Sequence, residues 1–131
     1  MRIATIAVTI LLGLLLLFAS VTYFLFTFGI TPPPSMEGMS DGVMKWNAGA
    51  EATVYLMPLV KTVELLCGIL FLTRSYVALA NLVILPVAIN AFLFHVFLGP
   101  ETIAMAALLL VWNLFLIYAY RSKYAALFTR K

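Results

Sequence analysis

Lys61 and Glu64 are the residues of this chain best placed to do chemistry, because both lie inside an otherwise apolar run. A lone charge at the centre of a membrane helix costs about 2.5–3.5 kcal/mol on insertion scales, so each needs company. Their i, i+3 spacing puts them on one helix face, where an ion pair or shared hydrogen bonds lower that cost. Gly68 follows Glu64 by four residues on the same face and would let a neighbouring helix approach closely. Asn90, His95 and Asn113 are further polar side chains within apolar runs. Depth counted at about 1.5 Å per residue from the outer ends puts Glu64 near the midplane and Lys61 above it. Asn90 then lies at a depth similar to Lys61, His95 close to the outer surface, and Asn113 near the level of Glu64. Ser20 and Thr22 fall in the same zone. Buried polar groups must find partners or water, so these residues outline a polar chamber opening outward. Asn90 and His95 are about 140° apart round a straight helix, and a kink at Pro86 is needed to turn both inward. Pro58 is placed to act similarly near the start of its own segment.

Two readings of this cluster stand side by side. In one, Lys61 and Glu64 form a structural ion pair, His95 is a hydrogen-bonded residue near the interface, and the asparagines join helices. In the other, intramembrane ionisable groups mark a functional site. A metal centre is not expected, since one histidine with scattered carboxylates does not assemble the ligand set of a zinc or iron site. Cys67 is the only cysteine, so the chain can form neither an internal disulfide nor a Cys-x-x-Cys dithiol. Within its apolar run it reads as a small hydrophobe.

The elements that must carry these residues follow from composition. Of 131 residues, 65% are hydrophobic and only 10% charged, and the mean hydropathy is +1.12. A soluble fold is excluded by that balance, whereas spans of about 20 residues leave room for a single domain of four membrane helices. The net charge of +3 does not indicate nucleic acid, because the basic residues sit at segment ends rather than in a stripe with interleaved aromatics. Spans are expected at about 3–28, 53–72, 77–98 and 102–120. The first run continues well past the length of a signal-peptide core, so it reads as an uncleaved helix. Pro32-Pro33-Pro34 opens an outer loop, 29–52. Within that loop Met36, Met39, Val43, Trp46 and Ala50 recur at steps of three and four. With Ser35 as N-cap, they fit a short amphipathic helix lying at the interface. An ordered loop with Trp46 at headgroup level fits equally well. Gly99-Pro100 closes the third span.

Four spans sort the charges. Arg2, Arg74, Arg121, Lys123, Arg130 and Lys131 fall on one side, with Glu37, Asp41, Glu51 and Glu101 on the other beside Lys45 alone. The positive-inside rule then places both termini and the Arg74 turn in the cytoplasm, giving an all-α integral membrane four-helix bundle.

Three stretches of this sequence resemble the DoxX-like family of small bacterial four-helix membrane proteins. They are Tyr55, Pro58, Leu59, Lys61, Glu64 and Gly68; Asn90, Phe94, His95, Gly99 and Pro100; and Ala119-Tyr120-Arg121 with Lys123-Tyr124. The resemblance covers nearly the whole chain. It implies a bundle in the bacterial inner membrane and a shared site of Lys61, Glu64, Asn90 and His95. Family members are linked to quinone-dependent oxidation or to membrane oxidoreductase assemblies, which implies an accessory or assembly subunit of a larger membrane redox complex. A quinone-linked subunit is the first alternative, with Glu64 and His95 exchanging protons beside a wall of Phe92, Phe94, Phe97 and Trp112. A small-solute or proton carrier is the second, although no inverted repeat is evident. No intrinsic cofactor is expected, and the partners are the bilayer with other subunits or further copies of this chain.

Overall fold

The computed structural model describes residues 2–33, 35 and 37–130. Of the expected features, Pro34, the Met36 position of the loop helix and Lys131 lie outside the described residues. All regular structure among the described residues is helical: α1 (Arg2–Thr27), α2 (Asp41–Ala52), α3 (Leu56–Leu72), α4 (Val77–Phe97), α5 (Ile103–Ala119) and α6 (Arg121–Tyr124), with short 3₁₀ turns at Pro100–Thr102 and Ala125–Phe128. The four longer apolar helices pack in a cycle, in which α1 touches α3 and α5 while α4 touches the same two.

These helices are apolar all round. Leu12, Leu16, Phe71, Ile84 and Leu116 are buried between them, yet Leu14, Phe18, Leu66, Leu79, Val83 and Leu114 are exposed on their outer faces. A helix that is greasy on both sides belongs in a large core or in a bilayer, and this chain is too small to supply the former. Arg2–Thr27, Val77–Phe97 and Pro100–Ala119 are each long and apolar enough to cross a membrane. The 17 residues of α3 reach about 25 Å, slightly short of a hydrocarbon core of roughly 30 Å. It passes the same test only when taken together with α2, and the two meet at 91°. If α3 runs along the bilayer normal, α2 therefore lies flat, the attitude expected of an interfacial helix.

The loop helix is shorter than the sequence suggests, and its cap is a different serine. Ser40 Oγ accepts from Val43 N at 3.2 Å and donates to the Leu98 carbonyl at 2.7 Å, tying the start of α2 to the end of α4. Ser35 instead accepts from Glu37 N in a local turn. At the other end of α2, Thr53 Oγ1 donates to the Ala50 carbonyl and accepts from Leu56 N, so one hydroxyl closes α2 and opens α3. Pro58 falls in the first turn of α3, where its missing donor is no loss, and α4 runs on through Pro86 without a break in helix.

The α3–α4 turn carries strain. Ser75 N donates to the Leu70 carbonyl and Arg74 N to Phe71, a Schellman closure that puts Arg74 in the left-handed region at φ 54°. Glycine usually occupies that position, and Tyr76 follows at φ 53°. Each non-glycine residue there costs about 1–2 kcal/mol. Gly29, at φ 79°, fills the equivalent place after α1 with no such cost.

Candidate functional site: a buried ion pair and two polar end networks

Lys61 and Glu64 meet. Lys61 Nζ lies 3.0 Å from Glu64 Oε2, with the Glu64 side chain 8% exposed and that of Lys61 17%. Glu64 Oε2 takes no aligned hydrogen bond among the described residues, so the contact is ionic. One turn deeper, Cys67 is buried with its thiol 3.7 Å from the Ala80 carbonyl, linking α3 to α4. Gly68 does allow the close approach expected of it, because a Cβ there would lie 3.0 Å from Leu17 Cγ and 3.2 Å from Leu17 N. Ser20 is fully buried but spends its hydroxyl on the Leu16 carbonyl of its own helix, 2.8 Å away. Thr22 is exposed and likewise bonds within α1.

The remaining expected site residues go elsewhere. His95 Nδ1 is 3.1 Å from the Gly99 carbonyl and 3.0 Å from Thr102 Oγ1. A protonated Nδ1 donates to the carbonyl and a bare one accepts from the hydroxyl, so either tautomer is satisfied. Phe94 stands edge-on to both the His95 ring, 5.1 Å away, and Trp46, 4.9 Å away. With Ser40 on the Leu98 carbonyl, this makes the C-terminal end of α4 a docking point for α2. Asn90 is exposed on α4. The five expected residues are thus spread over four places, with Lys61 and Glu64 alone together and Asn113 in a network of its own.

Asn113 belongs to a second polar network. Its Nδ2 donates to the Asn81 carbonyl at 3.0 Å, and the two side-chain amides are in direct contact. The Asn81 amide also meets the Tyr124 hydroxyl at 3.3 Å, which donates to the Ala78 carbonyl at 2.7 Å. Asn81 and Tyr124 are missing from the cluster drawn from sequence. The usable signal was that an amide buried at Asn113 needs another polar group across the helix boundary.

Burial pushes the Tyr124 hydroxyl above its ordinary value, opposed by the Asn81 hydrogen bond and reinforced by Tyr120. Because the raised value belongs to the folded state, this contribution to stability is complete below the usual tyrosine pKa of about 10 and is lost as pH rises through the raised one. The thermal midpoint in detergent should therefore fall more steeply above pH 10 in the native protein than in Tyr124→Phe. The variant itself should start about 1 kcal/mol lower from its lost hydrogen bond. Parallel pH profiles would refute this.

No known protein family, curated protein or solved structure matches this chain. The functional reading therefore rests on the geometry and the charges. Arg2, Arg74 and Arg121 line one cavity of about 690 Å³, so both ends of the helical set come to the same end of the packed helices as the α3–α4 turn. Glu101 and α2, which carries Asp41 and Glu51, sit at the opposite end, where the Glu101 carboxylate lies 3.9 Å from the Cβ position of Gly99 and Val43 of α2 touches that same position at 3.3 Å. A second cavity of about 360 Å³ is a groove walled by Val21, Phe24, Leu25, Phe28 and Leu65. Neither cavity is lined by Lys61 or Glu64.

Proposed function

We propose that this chain is a DoxX-like four-helix bundle of the bacterial inner membrane, serving as an accessory or assembly subunit of a larger redox complex. The observation that carries the reading is how its intramembrane polar groups are used. Lys61 holds Glu64, His95 closes the end of α4, and Asn113 holds Asn81. The first pair is satisfied within α3, His95 closes the end of α4, and Asn113 joins α5 to α4, so each group is spent on a partner in the chain, which suits a scaffold better than a catalyst. The exposed aliphatic faces of all four long helices supply surface for lipid and for neighbouring subunits. Segregation of Arg2, Arg74 and Arg121 from Asp41, Glu51 and Glu101 supports cytoplasmic termini and an outward-facing α2. Extraction in mild detergent should bring down larger membrane proteins with this chain. Recovery of only free monomer or homo-oligomer, under conditions that keep known respiratory complexes whole, overturns the proposal.

A quinone-linked role is the second reading, and the groove beside Leu65 is what favours it. Its five lining side chains suit an isoprenoid tail but include no donor for quinone carbonyls, so the residues present do not fit the head group. Equal quinol retention by the native protein and by Leu65→Trp, which fills the groove, would remove this reading.

A further inference from the structure

We infer that the basic cavity at the cytoplasmic end is a binding site for the phosphate of an anionic phospholipid. This rests on the membrane reading above but on a different set of residues. Arg2 from the first turn of α1, Arg74 from the α3–α4 turn and Arg121 from the start of α6 line a single cavity, together with Thr5, Tyr118 and Tyr120. Three arginines from three elements on one cavity give it a positive potential that favours an anion there. Among the described residues no carboxylate is paired with these arginines. The chain's acidic residues are Glu37, Asp41, Glu51, Glu64 and Glu101, and the ion pairs among the described residues are Lys45–Asp41 and Lys61–Glu64, neither of which involves this cavity.

Geometry favours a forked oxyanion. Arg121 is already oriented, with one nitrogen donating to the Tyr118 carbonyl at 2.9 Å and its Cζ 4.2 Å from the Tyr118 ring centroid. That leaves other N–H groups of the fork for a ligand, and guanidinium binds phosphate in a bidentate manner. Arg74 is held in left-handed backbone, where glycine would be relaxed. Strain retained at a charged residue is a mark of use. The volume is within the range of small-molecule sites.

A lipid is the source of phosphate that the surroundings indicate. The cavity is at the end of helices whose outer faces are apolar, Ile6 forms part of its wall, and Tyr76 and Tyr118 are exposed at the same level. Exposed tyrosines at a helix end mark the headgroup layer, and basic pockets between helices on the cytoplasmic side suit anionic headgroups.

The test uses the full chain purified in a neutral detergent. It is titrated with phosphatidylglycerol, phosphatidylcholine or inorganic phosphate, and bound lipid is counted by native mass spectrometry beside the thermal midpoint. Preference for phosphatidylglycerol is expected in the native protein, falling about fivefold for each guanidinium removed in Arg74→Gly and Arg2→Gln. Arg74→Gly eases the turn, so it should fold at least as well while binding less. Equal retention of both lipids, or an undiminished preference in both variants, overturns the inference. A midpoint rise with inorganic phosphate equal to that with phosphatidylglycerol assigns the cavity to free phosphate and overturns the lipid assignment. Alkaline carbonate washing of membranes separates the two levels. Release of the chain by carbonate refutes the membrane reading, whereas retention with no lipid preference refutes the lipid site alone.

Discussion

Lys61→Met should destabilise the protein by about 3–5 kcal/mol, the cost of stranding one member of a buried ion pair. Exposure decides the size. An ion pair in water is worth about 0–1 kcal/mol, but the Glu64 side chain is only 8% exposed and has no other hydrogen-bond partner among the described residues. Removing the ammonium leaves a buried carboxylate without its counter-charge. Removing both charges should undo most of that loss, because well-packed apolar replacements of buried pairs are neutral or stabilising by about 1–4 kcal/mol. Lys61→Met combined with Glu64→Leu is therefore expected to unfold at or above the native midpoint in detergent. A single variant that loses less than about 1 kcal/mol, or a double variant weaker than the single, would show that the pair is not the lock described. Copurification of larger membrane proteins with the stable double variant would then separate the fold-holding role of these charges from any direct part in assembly.

Local features of the fold were legible in the sequence, and lateral ones were not. Hydropathy placed the helices to within a few residues, since every long helix here is apolar on all faces and the breaks carry Pro, Gly or charge. The Lys61–Glu64 pair was equally readable, because i, i+3 spacing on one helix needs no tertiary information. Asn113 shows where this stops. Depth along the helix axis put it near the level of Glu64, but its partner is Asn81 of α4, set by how α4 and α5 are rotated and shifted against each other. His95 follows the structural one of its two readings, that of a hydrogen-bonded residue. It is satisfied within its own helix end by Gly99 and Thr102, a local solution that competes with any inward role. Between Ser35 and Ser40 both residue types suit an N-cap, and the choice rests on Leu98, whose carbonyl takes the Ser40 hydroxyl from far along the chain.

Gly13→Leu should cost about 3 kcal/mol, and the reason is what stands opposite it. A Cβ on Gly13 would lie 3.1 Å from both the Gly68 carbonyl oxygen and Leu72 N, and 3.0 Å from Leu72 Cγ. The first two are backbone atoms of α3 and cannot swing aside, so a side chain at this position must push α1 and α3 apart. Overpacking of this kind costs about 1–3 kcal/mol, at the upper end when backbone is the obstacle. Alanine is the informative intermediate. It gains about 1 kcal/mol of helix propensity over glycine, which offsets much of the contact penalty, so Gly13→Ala should lie close to the native midpoint and slightly below it. Gly49 in α2 has nothing within 4 Å of its Cβ position, so Gly49→Ala should show the propensity term alone and gain about 0.5–1 kcal/mol. The contrast between the two glycines in one unfolding series isolates the cost of contact from that of backbone freedom. If Gly13→Leu unfolds with the native protein, the seam between α1 and α3 is open. The burial of Leu12, Leu16 and Phe71 between the helices would then be lost as well.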